Sequence, residues 1–145
     1  MHSDFRRQAT ILVIDDEASV VGEVTAALSP SGYTCHGCTS ADAALEMARQ
    51  IVPELIISDI NLAGHSGLEL CERIKSEDDL REVPLMFLSG AQVPDIIRRS
   101  REAGGVYYLR KPFDPEVLLE LVEKALWMPH VAAKRITSRD QRAAT

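Results

Sequence analysis

The chain has 145 residues, a length at which a single domain can bury its own core without covalent staples. With 46% hydrophobic and 26% charged residues it reads as a globular protein, not a disordered or fibrous one, and its net charge of -6 argues against a nucleic-acid surface, because DNA binding relies on Lys and Arg meeting phosphate. No run approaches the roughly 18 consecutive apolar residues of a membrane span, and the polar opening Met1 to Thr10 lacks the apolar run of a secretion signal, so a cytoplasmic location without membrane or direct nucleic-acid contact is expected.

Residues 1–8 read as an N-terminal arm. The β-branched run Thr10-Ile-Leu-Val-Ile14 then suits a strand buried on both faces of a parallel sheet, and it ends at two aspartates. From Ala18 to Ser29 apolar residues recur at helical spacing, and Ser29-Pro-Ser-Gly32 supplies the stop. Tyr33 to Gly37 reads as a weak second strand, followed by a helix opened by Thr39 or Ser40 and carrying Ala44, Leu45, Met47 and Ala48. Glu54 to Ser58 reads as the third strand, and a helix from about Ser66 carries Leu68, Leu70, Cys71 and Ile74.

Pro84 to Leu88 reads as the fourth strand, with proline at the first position where a missing donor is tolerated. Pro94 opens a fourth helix closed by Gly104-Gly105, and Val106 to Arg110 reads as the fifth strand. Asp114 caps a last helix, with Pro115 in its first turn and a stripe of Val117, Leu118, Leu121, Val122, Ala125 and Leu126. Five βα units predict a doubly wound α/β fold over 9–128, with helices on both faces of a five-stranded parallel sheet. Residues 129–145 read as a basic tail or as the first part of a linker.

In such a sheet ligands sit at the carboxyl ends of the strands, near the switch in strand order. There the sequence places Asp15 and Asp16 after the first strand, Asp59 after the third, Ser89 after the fourth and Lys111 after the fifth. Carboxylates about 4 Å apart repel by on the order of 4 kcal/mol at an effective dielectric near 20, so the cluster calls for a cation. Lys111 offsets part of the charge, and an oxygen-only ligand set suits Mg²⁺ better than Zn²⁺. A carboxylate beside Mg²⁺, with a lysine and a hydroxyl in reach, is equipped to attack phosphorus, and Asp59 is the candidate nucleophile.

Cys35, Cys38 and Cys71 are too few for a disulfide framework. Cys71 falls in a helical pattern and reads as core. Cys35-His-Gly-Cys38 has the C-x-x-C spacing that a helix N-terminus turns into a reactive thiol in redox proteins, a reading weakened because the second strand is normally peripheral in a doubly wound sheet of this kind.

Taken together, Asp15-Asp16-Glu17, Asp59-Ile-Asn61 with Gly67, Ser89-Gly90-Ala91 and Tyr108-Leu-Arg-Lys111-Pro112-Phe113 resemble the receiver domains of two-component response regulators. The resemblance implies the flavodoxin-like strand order 2-1-3-4-5. It also implies that Asp16 and Asp59 bind Mg²⁺ directly, with Asp15 acting through water and the Asn61 carbonyl as a further ligand. Lys111-Pro112 would be cis. Asp59 would be phosphorylated by a histidine kinase or a histidine phosphotransfer protein, the domain catalysing only its own modification. Ser89 would be drawn to the phosphate and Tyr108 would turn inward, altering the face of the fourth helix, fifth strand and fifth helix for a target protein or a phosphorylation-dependent homodimer. Two positions depart from the family: Ala63 stands where proline is frequent, and Ala91 has no polar group to guide a hydrolytic water.

Overall fold

Five short strands form one parallel sheet: β1 (Thr10–Ile14), β2 (Thr34–Cys38), β3 (Leu55–Asp59), β4 (Leu85–Ser89) and β5 (Gly105–Arg110), in the spatial order β2-β1-β3-β4-β5. The structure is a computed structural model and describes residues 9–90 and 95–127. The arm expected over 1–8, the tail expected over 129–145 and Pro94 at the expected start of the fourth helix lie outside the described residues.

Alternate side chains of each strand point to opposite faces, which divides the core in two. Ile11, Val13, Leu55, Ile57, Met86 and Leu88 meet Val20, Val24 and Leu28 of α1 (Ala18–Leu28) and Leu118, Val122 and Ala125 of α5 (residues 115–127). Leu12, Ile14, Ile56, Leu85 and Phe87 meet three helices on the other face: α2 (Ala41–Ile51), α3 (Gly67–Lys75) and α4 (Ile96–Glu102). Parallel strands buried on both sides need apolar residues at nearly every position, and β3 and β4 are buried throughout.

Local chemistry sets the helix starts. Ser40 Oγ accepts the Ala43 N–H at 3.3 Å, and Ser66 Oγ accepts the Glu69 N–H at 3.3 Å. Asp114 Oδ1 accepts the Glu116 N–H at 2.8 Å, where Pro115 opens α5. Strands β2, β3 and β4 each begin and end one residue later than the sequence predicts. Ladder pairing decides those limits: Ile14 pairs with Cys38, Asp59 with Leu88, and Ser89 with Arg110. Asp59 and Ser89 are therefore the last residues of buried strands and not the first of loops.

A feature absent from the sequence reading is a small hairpin after β3, in which Asn61 pairs with Ser66 and Leu62 with His65. Its two loop residues, Ala63 at φ 42 and Gly64 at φ 90, both have positive φ, as a type I′ turn requires. A proline at 63 would lock φ near -65° and could not take this turn.

Candidate functional site

The strand order reverses between β1 and β3, so the crevice beyond their carboxyl ends is where the fold leaves room for a ligand. Asp15 follows β1 directly. Its N–H donates to the Cys38 carbonyl at 3.1 Å, its side chain is fully buried, and its Oδ1 accepts the Glu17 N–H at 3.0 Å. Asp16, next along, is exposed. Asp59 closes β3 at 6% exposure, and its Oδ1 accepts the Asn61 N–H at 3.0 Å.

Lys111 completes the group from the far side. Its N–H donates to the Ser89 carbonyl at 2.9 Å, continuing the β4–β5 ladder, and the Lys111–Pro112 peptide is cis. The ammonium Nζ donates to Asp59 Oδ2 at 2.6 Å and lies 2.7 Å from Asp15 Oδ2. The second contact is an ion pair outside hydrogen-bond alignment, so the buried Asp15 Oδ2 has no hydrogen bond of its own.

The charges in this pocket do not balance. Burial raises the Asp15 carboxyl above its ordinary value of 3.8, and the neighbouring Asp59 charge adds to the effect, while Lys111 and the Glu17 N–H offset only part of it. For Lys111 burial is again the largest influence and lowers the value, but contact with Asp15 and Asp59 outweighs it and holds the ammonium above 10.5. One oxygen from each of Asp15, Asp16 and Asp59 lies within 4.8 Å of the others. Three convergent carboxylates against one ammonium fit a small hard cation with oxygen ligands.

Ser89 is fully buried at the end of β4. Tyr108, in β5, is half-buried and packs against the core on the α2-α3-α4 face. The predicted residues Asp15, Asp16, Asp59 and Lys111 thus converge, Asn61 touches the group through its N–H, and Tyr108 stands apart in the adjoining packing.

The cysteines do not form a site. Cys35 packs on the α1-α5 face and Cys38 on the other, where Cys38 Sγ lies 3.4 Å from Met47 Sδ. Burial raises both thiols above 9.0, the reverse of redox activation. Cys71 is core, as its helical pattern predicts, and burial pushes its thiol up to about 12. Ser58, a buried hydroxyl between the apolar part of β3 and Asp59, has no role in the sequence reading; a serine following Ile56-Ile57 was the available signal.

A parallel α/β sheet with an acid cluster and a bridging lysine at its switch point defines a domain of the phosphoacceptor signalling class. The family model for the response regulator receiver domain matches residues 11–123, and the chain belongs to that family. Acceptance of a phosphoryl group on aspartate, with Mg²⁺ at an acidic pocket, is general for its members.

The chain is 32% identical to the phosphate regulon transcriptional regulatory protein PhoB of Pseudomonas aeruginosa over 117 residues, 81% of this chain and 51% of PhoB. It is 35% identical to the nitrogen assimilation regulatory protein NtrX of Azorhizobium caulinodans over 118 residues, 80% of this chain and 26% of that one. The chain therefore spans about half or less of these relatives. The chemotaxis protein CheY4 of Vibrio cholerae superposes with a TM-score of 0.77 at 26% identity, over 81% of this chain and 98% of that one. Among the described residues no helix is long and apolar enough to cross a membrane.

Proposed function

We propose that Asp59 is the phosphoacceptor of this receiver domain, with Lys111 and Ser89 as the groups that meet the incoming phosphoryl oxygens. The observation that carries this reading is the convergence of Asp15, Asp16 and Asp59 at the switch point of the sheet, with Lys111 in contact with Asp15 and Asp59. Asp15, Asp16, Asp59 and the Asn61 carbonyl would hold Mg²⁺, which supplies charge neutralisation for an anionic phosphoryl group. The protein's own groups do the rest. A carboxylate oxygen of Asp59 forms the new O–P bond as the P–N bond of a donor phosphohistidine breaks, and the imidazole leaves with its electron pair.

Lys111 holds Asp59 in line by its 2.6 Å contact, and its raised basicity keeps it cationic at neutral pH. Ser89, drawn toward the new phosphate, vacates space that Tyr108 fills from its half-buried position on β5. The α4-β5-α5 surface, where Ile97 and Val106 are exposed, changes shape for a target protein or a second copy. The donor is a histidine kinase or a histidine phosphotransfer protein in the cytoplasm. With a net charge of -6, the chain passes its signal by protein contact and not by touching nucleic acid itself.

A small acyl phosphate with Mg²⁺ should label the wild-type chain, and Asp59→Asn should abolish the label. Undiminished labelling of the Asn variant would refute the assignment. Calorimetric titration with Mg²⁺ should show binding that Asp16→Asn weakens; equal binding by both proteins would remove Asp16 from the metal site.

A further inference from the structure

The peptide that carries Asp59 is held from below by groups outside the pocket. Ser58 is the one polar side chain between Leu55 and the phosphoacceptor, and it points toward α3, into the core occupied by Ile56, Leu68, Cys71 and Ile74. A buried hydroxyl is costly unless hydrogen-bonded. Ser58 Oγ donates to the Asp59 carbonyl at 2.9 Å.

Helix α3 encloses the same carbonyl. A Cβ at Gly67 would lie 1.9 Å from the Asp59 oxygen, so the first turn of α3 rests directly on it. The Gly67 N–H donates to the Ile60 carbonyl at 2.6 Å, and the Ile60 N–H to the Leu88 carbonyl at 3.0 Å. The peptide plane after Asp59 is thus fixed on both sides, and its rotation would swing the carboxylate relative to Lys111 Nζ.

We propose that Ser58 is a positioning residue for phosphoryl acceptance, a buried hydroxyl whose hydrogen bond to the Asp59 carbonyl, beneath the first turn of α3, sets the aim of the Asp59 carboxylate. The inference rests on Asp59 being the phosphoacceptor. The Ser58 side chain does not touch the reacting atoms, so its removal is expected to slow the chemical step while leaving binding of the phosphodonor alone.

The test is the labelling rate with a small acyl phosphate and saturating Mg²⁺, measured against phosphodonor concentration for the full chain. Ser58→Ala should lower the maximal rate roughly tenfold, the scale of a modest misalignment, with the half-saturating donor concentration unchanged. Ser58→Thr, which keeps the hydroxyl, should recover most of that loss.

A Ser58→Ala protein with the wild-type unfolding midpoint and a rate within about twofold of wild type would overturn the proposal. Should that variant not fold, equal rates for Ser58→Thr and the isosteric Ser58→Val would overturn it instead. An unlabelled wild type would sink the phosphoacceptor reading and this one with it, whereas a labelled wild type beside an unaffected Ser58→Ala would sink this one alone.

Discussion

Two clusters of reactive side chains lie on the same sheet with opposite outcomes. Asp59 and Lys111 are 52 residues apart in the chain, yet their side chains meet at 2.6 Å beyond the carboxyl edge. Cys35 and Cys38 are three residues apart on β2 and face opposite sides of the sheet. Side chains alternate along a strand, so an odd separation divides a pair however close it is in sequence, whereas residues at the ends of neighbouring parallel strands are brought together however distant they are. The pocket is thus a product of pairing between strands, and the cysteine motif is dissolved by geometry within one.

The strongest way to break this contrast is through its glycines. Gly67→Ala would drive a methyl group into the Asp59 backbone carbonyl, so a loss of about 3 kcal/mol or more is expected, read as a fall in the urea midpoint together with loss of the phosphoryl label. Gly37→Ala, on β2, meets only the Cγ1 of the half-buried Val21, at 2.4 Å, and should cost about 1 kcal/mol. Equal losses at the two sites would mean that the pocket's backbone is no more constrained than the sheet edge.

Asp15→Asn probes the charge imbalance. The folded carboxyl sits above 3.8, so the native state holds its proton more tightly than the unfolded chain, and stability falls as pH rises through 3.8 and past the folded value. At neutral pH the ionised Asp15 is then a net cost without metal. The variant should gain about 1 kcal/mol in metal-free buffer, lose that acid-range pH dependence, and respond less to added Mg²⁺. A less stable metal-free variant would show that the Lys111 contact outweighs burial.

A smaller effect is expected at the hairpin beside the pocket. Ala63→Gly relieves a positive φ and should gain about 0.5 kcal/mol in the urea midpoint, whereas Ala63→Pro should lose stability because it cannot take the turn. At the cysteine edge the expected effect is none. Mild oxidation of the folded chain should leave Cys35 and Cys38 unlinked, by mass spectrometry of the alkylated protein. A Cys35–Cys38 disulfide formed without unfolding would contradict their placement on opposite faces.

Most of the architecture was legible because it is written in local periodicity. The five strands and five helices follow from apolar runs, from caps such as Ser40 and Asp114, and from stops such as Gly32. The pocket residues were legible because polar groups interrupt the chain where those runs end. The redox reading of C-x-x-C, already weak, is removed by a single residue of register. With the second strand ending at Gly37, Cys38 fell in the turn beyond it; pairing with Ile14 extends the strand and commits Cys38 to the face away from Cys35.

The sequence by itself therefore determined which elements form and which chemical groups stand at the strand ends, since hydrophobic spacing and capping act over a few neighbouring residues. Only the tertiary structure decided that Asp15 Oδ2 is buried without a hydrogen bond, that the Ser58 hydroxyl reaches the Asp59 carbonyl beneath α3, and that Ala63-Gly64 forms a tight turn. Those outcomes depend on ladder register and on how closely a helix lies on the sheet. Both are fixed by packing between segments far apart in the chain, which no local pattern encodes.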